Sequence, residues 1–363
     1  MAANTLQTPL TELLGIKHPI LLAGMNAVAH AELVAAVTNA GGLGTIGGLT
    51  MTPDFLRKEI HEAKELMTDP NGKFGVDLAI PQIGGGARKT NHDYTHGKLP
   101  ELIDVIIEEG ASLFVCAVGV PPKYAVDKLH AAGIPVMNMI GHPKHVDKAL
   151  AAGVDIICAQ GTEGGGHTGD VASTVLYPAV VDLCRGRKSP LTGDEVMVIA
   201  AGGMYDGRGL AAALSYGCAG VWVGTRFVAS AEAACPDRHK EGVVGAGPTD
   251  TTRTLIYSGR PLRTLITPYV GDWEARPEEI RKLCDSGVVP FAHDMAEAEK
   301  NDEPFSFAKA YPMLMGQASG NIATVQTAQE IIDEMMASAC EVLQRSFQLI
   351  GGAQTISSTK ARL

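Results

Sequence analysis

The sequence lacks the marks of several large protein classes. Its formal net charge is −10 and no lysine- or arginine-rich block runs through its 363 residues. Neutralisation of phosphates dominates nucleic-acid affinity, so no nucleic-acid partner is expected. No apolar run reaches the roughly 18–20 residues that span a bilayer, so no transmembrane helix or membrane partner is expected. The opening Met1-Ala2-Ala3-Asn4-Thr5-Leu6 has neither a charged nor an apolar leader, and no secretory signal is expected. The cysteines, seven in all, stand singly with no Cys-x-x-Cys pair, which argues against a disulfide framework or structural zinc. Aromatics are only 5% of the chain against 42 glycines. That balance favours close helix-on-strand packing over a β-sandwich.

What is present is alternation. Short apolar runs occur at His18–Leu22, Leu43–Ile46, Phe74–Leu78, Leu113–Ala117, Pro135–Met139, Asp155–Ala159, Val196–Ala200 and Gly220–Val223. Between several of them lie helix-like stretches: Ala29–Asn39, Thr52–Met67 with Thr52 as cap and Pro53 in the first turn, Pro100–Glu109, Pro121–Gly133 and Pro143–Ala152. Near-continuous apolar strands alternating with helices imply parallel strands covered by helices. The spacing predicts an α/β fold, a (β/α)8 TIM barrel. A doubly wound open sheet is the competitor, but no Gly-x-Gly-x-x-Gly follows the first strand. Residues 1–235 with 304–350 are predicted to form the barrel, closed by one amphipathic helix over Ala323–Leu349. Residues 236–303 lack strand alternation and are predicted as an irregular, helical segment over the barrel mouth. Residues 351–363 are expected to be a mobile tail. Its end, Ala361-Arg362-Leu363, is a relaxed form of a peroxisomal address, so the expected location is cytoplasmic or peroxisomal.

In a barrel, the loops after the strands build the active site. Those endings carry Ala23-Gly24-Met25, Asp77, Asn138-Met139, the stretch Gln160 to His167, Ala201-Gly202-Gly203-Met204 and Gly224-Thr225-Arg226. Bare backbone N–H groups at Gly202-Gly203 and Gly224-Thr225 follow the seventh and eighth strands, where this fold holds phosphates. A ligand clamped there lies across the barrel top against Gly24-Met25 and the sixth-strand loop, and a flat isoalloxazine ring suits those walls. His167 sits within Gly164-Gly165-Gly166-His167, held near whatever that loop cradles. Asp77, Glu163 and Asp170 have no histidine at ligand spacing, so no metal is expected. No Cys-His or Ser-His-Asp arrangement is visible, and no strand ending carries a Schiff-base lysine.

These motifs together resemble the nitronate monooxygenase family, formerly the 2-nitropropane dioxygenases. The carriers are His18-Pro19-Ile20 with Gly24-Met25, Asn39-Ala40-Gly41-Gly42-Leu43-Gly44, Gln160-Gly161 with Glu163, Gly165-Gly166-His167 and Gly169, Ala201-Gly202-Gly203, Gly224-Thr225-Arg226-Phe227 and Met315-Gly316-Gln317. The resemblance implies an FMN-dependent barrel enzyme. It implies FMN contacts from Ala23, Gly24, Met25, Asp77, Gln160, Gly165, Gly166, Ala201, Gly202, Gly203, Gly224, Thr225 and Gln317. It makes His167 the catalytic group, as base or as electrostatic stabiliser. The implied reaction oxidises alkyl nitronates or nitroalkanes with O2, a small-molecule substrate, to a carbonyl compound and nitrite. The alternatives are an NADH:quinone or enoyl-thioester reductase on the same barrel, and a flavin-free phosphate-binding barrel. A homodimer is left open. Two departures stand out: Asp77 where many relatives carry Asn, and a long Gly84–Gly97 loop.

Overall fold

The computed structural model describes residues 5–350; the 351–363 tail and its Ala361-Arg362-Leu363 terminus lie outside the described residues. Strands β1 (Ile20–Leu22), β2 (Gly44–Gly47), β3 (Phe74–Ala79), β4 (Leu113–Ala117), β5 (Val136–Ile140) and β6 (Ile156–Gln160) are followed by a two-residue strand β7 (Gly166–His167). Then come β8 (Met197–Ala201) and β9 (Gly220–Val223). All but β7 form one parallel sheet ordered β1-β9-β8-β6-β5-β4-β3-β2. The two ends meet: Leu22 N donates to Leu43 O at 2.9 Å and Leu43 N to Ile20 O at 3.0 Å. The sheet is therefore a closed barrel, and the predicted (β/α)8 architecture is what the chain adopts.

Side chains alternate across the barrel wall. Leu21, Val115, Met137, Ile156, Cys158 and Ile199 fill the interior. Val76, Phe114, Val136, Ile157, Ala200 and Val221 face the helices. Burial on both faces is why each strand reads as an unbroken apolar run. Helix α1 (Pro9–Leu14) opens on a Thr8 capping box and plugs the bottom with buried Leu10 and Leu14. The outer ring is α2 (Ala31–Asn39), α3 (Pro53–Leu66), α4 (Leu99–Glu108), α5 (Lys123–Ala131), α6 (Val146–Ala151), α7 (Ser173–Cys184) and α8 (Gly207–Ser215). After β9 only the single turn α9 (Thr225–Val228) follows directly.

The segment that succeeds it corrects the sequence-based expectation of irregular and helical structure. It has helix α10 (Asp237–Gly245), then an antiparallel hairpin of β10 (Thr251–Thr254) and β11 (Leu262–Leu265). Helices α11 (Pro268–Glu274), α12 (Pro277–Ser286), α13 (Pro290–Lys300) and α14 (Phe307–Ala310) come next. The hairpin escaped the hydrophobic pattern because Thr251, Thr254, Arg263 and Thr264 are buried although polar. Val270, Trp273 and Ile280 pack with Ile256 as a small separate core. Finally α15 (Ala328–Gln348) packs against α8 and α2, taking the eighth place in the ring. Its start is fixed by a Thr327/Glu330 capping box, later than the predicted Ala323. Among the described residues no helix is long and apolar enough to cross a membrane.

Candidate active site

At the C-terminal rim the inward positions are Ala23, Met25, Asp77, Met139, Gln160 and Ala201. They form a floor that is apolar except for Asp77 and Gln160. Asp77 is 7% exposed and packs on Gly24: a Cβ built there would fall 2.3 Å from the Asp77 Cβ. Only glycine admits that contact. The Asp77 Oδ1 has no hydrogen-bond partner among the described residues. Among the described residues no cation faces the group, and burial pushes its pKa up to about 8.

The loop after β6 is built by contacts rather than left slack. Gly161 N donates to Ala201 O at 2.8 Å, and Gln160 Nε2 reaches Gly165 O at 3.3 Å. The Glu163 carboxylate accepts from Ser173 N and Oγ at the start of α7, so Glu163 fastens the loop. A Cβ on Gly165 would meet the Met315 carbonyl carbon at 2.8 Å, so the loop and the Met315-Gly316-Gln317 segment are interlocked. Gln317 N donates to Glu163 O at 2.9 Å, while its side chain turns to Pro248 O at 3.4 Å. The backbone of Gln317, not its amide, is what reaches the site.

His167 lies in β7, whose partner is β11: His167 pairs with Leu262 and Gly166 with Arg263. Its Nε2 is 2.8 Å from the Ser258 Oγ in the hairpin turn. Ser258 Oγ is also 3.4 Å from the Arg260 carbonyl oxygen. The same Oγ also accepts from Arg260 N at 3.4 Å, so which of Nε2 and Oγ carries the shared proton follows the ring tautomer; Nδ1 has no partner among the described residues. Although its ring is only half-buried by surface area, enough protein surrounds it that burial lowers its pKa to about 4, helped by the neighbouring Arg260 cation. Arg260 is held by Asn91 Oδ1 at 3.1 Å and Val118 O at 3.2 Å. Arg88 reaches Gly259 O at 3.3 Å. The long 84–97 loop therefore buttresses the hairpin that carries Ser258. Arg88, Arg253, Arg260 and Arg263 form no ion pair among the described residues.

The loops after β8 and β9 lie side by side through the β8–β9 pairing. Gly202 and Gly203 hold φ of +88° and +74°, a conformation that costs other residues. Their N–H groups, and those of Gly224 and Thr225, donate to nothing among the described residues. The Thr225 Oγ1 accepts from Gly316 N at 2.9 Å, which leaves its proton free to donate outward. Arg226 is spent on Ala229 O and Thr324 O, tying α9 to the segment that precedes α15. Asn138 points away from the floor, its Nδ2 donating to Cys116 O and Gly119 O. Ser258 and Arg260 were invisible in the sequence, because nothing local links them to a histidine on another strand.

Compared with known proteins, residues 7–338 match the family described as nitronate monooxygenase. The chain belongs to that family. A (3aS,4S,5R,7aS)-5-hydroxy-7a-methyl-1-oxo-octahydro-1H-indene-4-carboxyl-CoA dehydrogenase of Rhodococcus jostii (strain RHA1) is 42% identical over 271 residues, 75% of this chain and 69% of that protein. A "Probable nitronate monooxygenase" of Staphylococcus saprophyticus is 28% identical over 94% of this chain and 99% of its own. Among solved structures, FabK from Thermotoga maritima superposes with a TM-score of 0.78 at 30% identity, covering 95% of this chain and all of that one. As a nitronate monooxygenase family member the protein is an oxidoreductase. Of the motifs that carried the resemblance, Gly24-Met25, the loop after β6, Ala201-Gly202-Gly203 and Gly224-Thr225 fall at the barrel mouth, with Met315-Gly316-Gln317 locked onto it, whereas His18-Pro19-Ile20 and Asn39–Gly44 lie at the opposite end, where β1 and β2 begin.

Proposed function

We propose that this family member is an FMN-dependent oxidoreductase that oxidises nitroalkanes or their nitronates, with His167 as general base. Three features support FMN as the group these residues fit. Unpaired N–H groups at Gly202, Gly203, Gly224 and Thr225 suit a phosphate. The floor of Ala23, Met25, Met139 and Ala201 suits a flat ring. Asp77 leaves a buried polar atom aimed at the same floor. When bound, FMN supplies the electron transfer to O2 that yields a carbonyl compound and nitrite.

The observation that carries the reading is the His167–Ser258 pair. A half-buried imidazole with its pKa lowered to about 4 is neutral at working pH. A neutral ring with an open nitrogen can accept the acidic Cα proton of a nitroalkane held against it. Ser258 fixes the ring plane and leaves Nδ1 without a protein partner. Of the two roles the sequence left open for His167, the geometry supports proton abstraction. Nitrite release on mixing the flavin-loaded protein with a neutral nitroalkane and O2 tests it. No nitrite from nitroalkanes or nitronates, with flavin bound, would defeat it.

A second reading has its own support. The Rhodococcus relative is named for a carboxyl-CoA substrate. In this acidic chain, Arg88 and Arg260 stand without carboxylate partners beside the His167 mouth. An oxidoreductase acting on an acyl thioester would use that pair on its phosphates. Acyl-CoA turnover that weakens in Arg88→Ala and Arg260→Ala, with no nitrite chemistry, selects this reading.

A further inference from the structure

Asp77 poses a problem that the oxidation chemistry does not use. It is a carboxyl buried to 7% exposure on a floor of methionine, alanine and glycine. Gly24 lies directly beneath it, where any side chain would collide with the Asp77 Cβ and Oδ2. Its Oδ1 makes no hydrogen bond among the described residues. A buried carboxylate with neither cation nor donor is costly, so such groups stay protonated. A protonated carboxyl carries an O–H, and an O–H buried in an apolar floor needs an acceptor. The carboxyl makes no side-chain hydrogen bond among the described residues; apart from Gln160, whose amide turns to Gly165 O, the floor side chains around it are alkyl or thioether groups.

We infer that Asp77 holds the flavin as a hydrogen-bond donor from the barrel floor, so that cofactor affinity depends on this carboxyl keeping its proton. This rests on the FMN reading. The isoalloxazine edge offers carbonyl oxygens and ring nitrogens as acceptors. An asparagine at this position would donate at every pH, whereas an aspartic acid donates only while protonated. Asp77 therefore makes flavin retention a function of pH.

The linkage has a defined sign. Without flavin the carboxyl titrates at about 8, and donation to a bound acceptor raises that value further. Binding then takes up a proton once the free site has lost it. Affinity is flat below about pH 7.5 and weakens above 8, by up to about tenfold per pH unit. Other groups near the carboxyl do not titrate in this window. Cys116 on β4 and Cys158 on β6 are buried thiols pushed well above their ordinary values. β1 and β2 present only Gly24, Met25, Gly47 and Gly48. His167 is already neutral. The phosphate of FMN completes its titration near pH 6, so measurements begin at pH 7.

The test is a fluorescence titration of the flavin-stripped full chain with FMN at pH 7, 8, 9 and 9.5, for the native protein and Asp77→Asn. The expected result is a dissociation constant that rises about tenfold or more between pH 8 and 9.5 in the native protein. Asp77→Asn binds with a flat profile. A flat native profile, or the same slope in Asp77→Asn, overturns the inference and leaves the FMN reading standing. Absence of FMN binding at every pH overturns both.

Discussion

The Nε2 of His167 lies 2.8 Å from the Oγ of Ser258, a residue 91 positions later in the chain. The pair joins the glycine-rich loop of the sixth barrel strand to a hairpin outside the barrel. His167→Asn or His167→Ala is expected to lower kcat/KM by about 10²–10⁴ while FMN stays bound, read by steady-state kinetics alongside the visible spectrum. Turnover unchanged in the flavin-loaded variant would reduce His167 to scaffold.

Ser258→Ala removes the partner that orients the ring without removing the base. One neutral hydrogen bond contributes about 1 kcal/mol, so kcat should fall about fivefold. KM should change little, because Ser258 acts through His167 rather than on the substrate. Ser258→Thr, which keeps the hydroxyl, should recover most of the loss.

With FMN held at saturation, activity should hold across neutral pH and fail on the acid side. A base works deprotonated, and with a folded pKa of about 4 His167 is deprotonated down to about pH 5. The acid limb of kcat/KM therefore lies near pH 4, well below the ordinary histidine value of about 6.5. Arg260→Ala removes a neighbouring cation that helps lower the value. Its limb should move to higher pH. A limb that stays in place would show that burial alone sets the pKa.

Gly202→Ala tests the phosphate site. The residue holds φ of +88°, and a Cβ would lie 2.8 Å from the Gly161 carbonyl oxygen. Left-handed backbone costs a non-glycine residue about 1–2 kcal/mol. FMN affinity should fall while riboflavin, which lacks the phosphate, loses much less. Equal losses for both would place the phosphate elsewhere.

Gly165→Ala tests the interlock with Met315. Its methyl would press on backbone that cannot rotate away. Overpacking of this kind costs about 1–3 kcal/mol, read as a lower midpoint in thermal or urea denaturation.

The barrel was legible in the sequence because parallel strands buried on both faces leave nothing polar to interrupt their apolar runs. Its mouth was legible because strand endings fix where glycines and His167 must go. Two things were not. The β10–β11 hairpin hid because Thr251, Arg263 and Thr264 turn polar side chains inward, where hydrogen bonds replace apolar packing: Arg263 Nη1 reaches Thr251 Oγ1 at 3.1 Å. Ser258 hid because its link to His167 is wholly tertiary. The start of α15 was placed at Ala323, although the Thr327/Glu330 box that sets it can be read directly from the chain. Asp77 was visible as a departure from the family pattern, but only burial gives it a chemical consequence.

The strand that carries His167 is two residues long and has only β11 beside it. Two residues make too few ladder bonds to persist alone. The imidazole of His167 is thus lent its posture by a cassette outside the closed barrel. A change in this cassette would re-aim the imidazole while leaving the barrel floor untouched. Divergence of substrate within this scaffold is then expected to be written in the hairpin, far along the chain from the residue whose chemistry it redirects.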